Sequence, residues 1–160
     1  MVKLENKPIL SKTKLNKLIQ DMEQHCHEQL ALCKSLEDIA DSLPDEVDPQ
    51  KCLHAARSLY PAVKSAHDFE ENELFPVLDE LKKHDAALES SLERLRYEHW
   101  EDESYSQELT DVLLDWAKGD KTRNPETTGY MLRGFFEGIR RHIAFEGEHI
   151  IPKVQQLADG

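Results

Sequence analysis

Four stretches of this chain carry apolar residues at helical spacing, each closed by proline or glycine, and that pattern leaves few architectures open. Leu15, Leu18, Ile19, Met22, Cys26, Leu30, Cys33, Leu36 and Ala40 mark one face of a first helix that stops at Leu43-Pro44. Asp48-Pro49 supplies a cap and a first-turn proline for a second, whose face runs through Leu59, Val63, His67, Leu74, Leu78 and Leu81 to Lys82-Lys83. Pro61 and Pro76 fall inside it; each removes a backbone donor and should kink the helix. A third face comprises Leu88, Leu92, Leu95, His99, Leu109, Leu113 and Trp116, ended by Gly119-Asp120 and Asn124-Pro125. Leu132, Phe135, Ile139, His142, Glu146 and Ile150 form a fourth, ended by Pro152. Such helices, joined by short polar loops, bury their stripes most simply as an all-α, antiparallel four-helix bundle. Residues 1–12 read as an N-terminal arm and 13–160 as one bundle domain.

Composition narrows the function classes. A formal charge of −12 without any run of Lys or Arg gives no surface for neutralising phosphates, so no nucleic-acid partner is expected. No stretch reaches the roughly 18 consecutive apolar residues of a membrane span, and Met-Val-Lys-Leu-Glu-Asn-Lys has no apolar signal core. A cytoplasmic protein without a membrane partner is the expectation. Cys26, Cys33 and Cys52 are odd in number and lack C-x-x-C spacing, which disfavours a structural zinc cage and suits small apolar fillers.

The inward stripes are interrupted at equivalent points. His67, His99 and His142 each replace an aliphatic residue, and each has a glutamate four residues later: Glu71, Glu103 and Glu146. At about 3.6 residues per turn the two side chains of each pair sit one above the other. A single His-x-x-x-Glu is common on solvated helices, so the information lies in its repetition at inward positions. Uncompensated buried carboxylates cost several kcal/mol each, a cost that a cation offsets. Imidazole with carboxylate suits iron, manganese or zinc, and six candidate ligands permit two ions.

These residues resemble the hemerythrin-like family, the HHE cation-binding domain. Its helix-two signature is similar to His67-Asp68-Phe69-Glu70-Glu71-Asn72-Glu73-Leu74-Phe75-Pro76, and its helix-four signature to His142-Ile143-Ala144-Phe145-Glu146 running to Ile151-Pro152. The resemblance spans about Leu15 to Leu157 and implies an up-down-up-down bundle around two irons, bridged by carboxylate and an oxo or hydroxo group. Glu71 and Glu146 would be the bridging carboxylates, and His67, His99 and His142 terminal ligands. Zinc or manganese could substitute. The family also implies a histidine on helix one, where His25 and His27 flank Cys26. Periodicity favours His25 over His27 and puts Cys26 nearest the stripe, whereas the family-like His-x-x-Leu favours His27 before Leu30. All three stay open.

Glu103 stands where oxygen-carrying relatives place a second histidine, and a site richer in carboxylate suits ferric iron and oxidative or sensing chemistry. His149, seven residues after His142, reads as a boundary histidine, and Asp68 as a solvated residue. The functional expectation is a non-haem di-iron protein that binds or reacts with O2, peroxide or NO in sensing or protection. Any enzymatic turnover would be weak peroxidase, catalase or oxidase chemistry. The alternative is an iron-dependent sensor or interaction module without turnover.

Overall fold

The computed structural model describes residues 10–160, so most of the arm expected over 1–12 lies outside the described residues. Helix α1, Lys12–Ser42, starts where the Ser11 hydroxyl accepts from Lys14 N at 3.2 Å. Helix α2, Pro49–Phe69, is capped by Asp48, α4, Ala86–Ala117, by Asp85, and α5, Pro125–His149, by Asn124. Each such cap stabilises its helix by about 1 kcal/mol. Gly119, at φ 77°, takes the chain out of α4 through a backbone conformation that side chains disfavour. Among the described residues there is no strand.

The second expected helix divides. Pro61 stays inside α2, but after Phe69 the backbone widens into a π segment, Glu70–Leu74, closed by the Phe75 N–H donating to Glu70 O. Pro76 follows as the second residue of α3, Phe75–Lys82, where its missing N–H and its ring are accommodated by the wider turn just before it. The fourth expected helix also continues past its proline: α5 ends at His149, and α6, Ile151–Asp159, carries Pro152 in its first turn.

Helix α2 packs on α1 and α4, and α5 packs on α1 and α4, while the diagonal pairs α1/α4 and α2/α5 barely meet. Four rods therefore stand in a square, consecutive ones joined by short turns, as the apolar stripes predict. Their shared core is not continuous. One apolar cluster holds Cys33, Leu36, Leu59, Val63, Leu109, Leu113, Leu132 and Phe136, while another holds Leu15, Met22, Leu74, Leu78, Leu92, Leu95, Ile150 and Val154. Between them every rod contributes buried polar side chains: Gln29, His67 with Glu70, His99, and His142 with Glu146.

Candidate metal centre

The polar layer is built by helical register. On α4, His99 sits one turn beyond Leu95 and continues the stripe Leu88, Leu92, Leu95. On α5, His142 follows Ile139 by three residues and Glu146 follows by four more, all buried. His67 occupies the last turn of α2, four residues after Val63. Glu70 and Glu71 lie three and four residues beyond it, about 60° to one side of His67 and about 40° to the other. The π segment begins at Glu70, and it is Glu70 that is buried while Glu71 is exposed.

Glu70, His99 and His142 offer ligand atoms that all lie within 4.8 Å of one another. His99 Nε2 is 2.5 Å from Glu70 Oε2, and His142 Nε2 lies against Glu146 Oε1 and 4.0 Å from Glu70 Oε2. The His67 ring stacks on His99 with centroids 3.9 Å apart, and is 6.2 Å from His142. Neither nitrogen of His67 and neither oxygen of Glu146 has a hydrogen-bond partner of acceptable geometry. Buried polar atoms are ordinarily satisfied, and four orphans in one layer are what a cation would repair.

The electrostatics reflect the crowding. Burial, aided by the neighbouring His99 and His142 imidazoles, drives His67 down to about 2. Burial and the facing Glu146 carboxylate push Glu70 up to about 8. Burial opposes the charged form of His142, yet its contacts with Glu146 and Glu98 hold its pKa well above the imidazole range. Burial, then Glu146 and Glu70, raise the Cys26 thiol to about 12.

These shifts give the metal-free protein a pH-dependent stability. Between its ordinary 4.5 and about 8, Glu70 keeps in the fold a proton that it loses on unfolding, so stability falls as pH rises. The stabilisation from His142 is full below its ordinary 6.5 and is likewise lost as pH climbs through the raised value. From about pH 6.5 to 8, the Glu70 shift alone should remove about 2 kcal/mol. Thermal melts of chelator-treated protein across that range check this; a flat or rising melting temperature would contradict it.

Of the residues singled out by spacing, His67, His99, His142 and Glu146 come together in the layer. Glu71 and Glu103 stand at its edge, with side chains 38% and 24% exposed, against 5% for Glu70 and 1% for Glu146. Glu71 Oε1 accepts from His99 Nδ1 at 2.9 Å, and Glu103 Oε1 is 3.6 Å from His67 Nδ1. On α1, His25 packs on Phe69 with centroids 5.0 Å apart, and His27 is exposed. The buried polar residue of α1 is Gln29, because the inward stripe runs Met22, Cys26, Gln29, Cys33, Leu36 and leaves Leu30 exposed. Spacing by alternating fours and threes would have found Gln29. Glu70 and Glu98 left no such signal, since the first depends on the π segment and the second on contact with another rod. His149 is exposed and ranges against Phe145 outside the layer.

No helix among the described residues is long and apolar enough to cross a membrane. No curated protein and no solved structure matches the chain. Residues 17–154, nearly the whole bundle and every residue of the polar layer, match the hemerythrin HHE cation binding domain. The chain therefore belongs to the hemerythrin HHE cation-binding family, and its buried Glu70, His99 and His142 could hold a metal.

Proposed function

We propose that this chain is a non-haem di-iron protein that binds or reacts with a small oxidant such as O2, peroxide or NO, in sensing or protection. The observation that carries this reading is the layer itself: three histidines and two carboxylates from three rods, with His67 and Glu146 unpartnered, between two apolar clusters. Iron bound there would supply electrons and an open coordination position for the oxidant.

The chain's own residues do the rest. His99 and His142 present Nε2 inward and His67 has both nitrogens uncommitted, while Glu70 and Glu146 face each other and supply the negative charge. The apolar clusters above and below keep water from the layer and strengthen its electrostatics. Glu70, near neutrality in the metal-free protein, must give up its proton to ligate and could return one to a reduced oxidant. Three free thiols suit a reducing compartment, the cytosol.

Protein loaded anaerobically with ferrous iron should gain visible absorption on mixing with O2, hydrogen peroxide or NO. An iron-loaded sample whose spectrum ignores all three would sink the reading.

A further inference from the structure

Behind each buried histidine stands a carboxylate, and behind each carboxylate a cation. His142 Nδ1 donates to Glu98 Oε2 at 3.0 Å, and Arg94 Nε donates to Glu98 Oε1 at 2.8 Å. His99 Nδ1 donates to Glu71 Oε1 at 2.9 Å, and Arg96 Nε is 3.7 Å from Glu71 Oε2. His67 Nδ1 is 3.6 Å from Glu103 Oε1, which is 3.4 Å from Lys64 Nζ. The same order, cation to carboxylate to Nδ1, occurs three times.

In none of these relays does the carboxylate come from its histidine's own helix. Glu98 on α4 serves His142 on α5, Glu71 on the π segment serves His99 on α4, and Glu103 on α4 serves His67 on α2. The outer carboxylates thus tie adjacent rods together at the depth of the layer. A metal takes one imidazole nitrogen, and an acceptor on the other fixes the ring's tautomer and rotation and raises its basicity. With Nδ1 held outward, Nε2 of His99 and of His142 is left facing the inner carboxylates Glu70 and Glu146. The cations hold the outer carboxylates toward the surface, where their side chains keep 24–38% exposure.

We propose that Glu71, Glu98 and Glu103 are positioning residues and not metal ligands, each orienting the histidine of a neighbouring rod through Nδ1 so that Nε2 meets the metal. This rests on the metal-centre reading above. It reassigns Glu71 and Glu103, which spacing alone ranks with the ligands, and adds Glu98, which no intrahelical motif marks.

The test loads wild type, Glu98→Ala, Glu98→Gln and Glu71→Ala with Co(II) and measures affinity by chelator competition, stoichiometry, and the paramagnetically shifted exchangeable imidazole N–H signals. Helicity is followed by circular dichroism. Wild-type stoichiometry in every variant is expected, with affinity about 10- to 100-fold lower in the alanine variants and partly restored by Gln, which keeps an acceptor. One shifted N–H signal should weaken or vanish in each alanine variant. Asp102 Oδ2, 3.9 Å from His142 Nδ1, could stand in for Glu98, so the Glu71 variant is the sharper arm. In metal-free protein, 15N spectra of the histidine side chains should show the freed imidazole of Glu71→Ala redistributing between tautomers. Unchanged affinity and N–H signals in both alanine variants would overturn the proposal, as would loss of a metal equivalent, which marks a direct ligand. Wild type that takes up no Co(II) would instead bring down the metal-centre reading itself.

Discussion

Stripping the metal with a chelator should lower the melting temperature by about 8–16 °C relative to protein at a thousandfold excess of free metal over Kd, since that occupancy contributes about 4 kcal/mol and each kcal/mol shifts a domain this size by roughly 2–4 °C. The reason lies in the layer. Without a cation the fold buries Glu146 with unpartnered oxygens, a Glu70 forced toward neutrality and a His67 that can neither donate nor accept. Binding energy at such a site becomes folding energy, because the unfolded chain does not hold these five residues together. Calorimetry with and without ferrous iron decides it; a melting temperature unmoved by complete metal removal would leave the orphaned polar atoms without the compensation argued here.

The second prediction has opposite signs in the two states. His67→Leu should stabilise the metal-free protein by about 1–3 kcal/mol, the cost of leaving a buried polar group unsatisfied, reduced somewhat because leucine cannot stack on His99 as the imidazole does. The same substitution should weaken metal binding at least tenfold and so erase most of the metal-dependent rise in melting temperature. A side chain that harms the empty fold and serves the loaded one belongs to a site and not to packing. If His67→Leu destabilised the metal-free protein, the imidazole would be a packing element and its place in the centre would fall. Paired melts of this variant, stripped and loaded, make the comparison in one experiment.

The two results bear on different halves of the molecule. Both apolar clusters are ordinary close-packed cores, and variants there should act through cavities alone. The layer between them accepts instability in exchange for ligands, a common arrangement where function and packing compete.

Much of the architecture is legible in the chain. Asp48-Pro49 and Asn124-Pro125 open helices where the spacing puts them, Gly119 ends α4, and the stripes on all four rods do face a common core. His67, His99 and His142 stand out because a polar residue on an apolar stripe is visible locally. The departures are equally physical. Leu30 reads as inward because it is apolar, yet a register one residue earlier buries Gln29 and exposes Leu30. Pro76 should kink a continuous helix, and instead follows a π segment that also selects Glu70 over Glu71 for the interior.

Helical periodicity, caps and breakers act within a few residues, so the sequence by itself determined the number of rods, their order and the depth at which each histidine lies. Which carboxylate reaches those histidines was decided only by the tertiary structure. Glu98 and His142 are 44 residues apart and Glu71 and His99 are 28 apart, and each pair meets because two rods pack side by side. An i, i+4 pattern sees one helix at a time, whereas a metal centre is assembled across several.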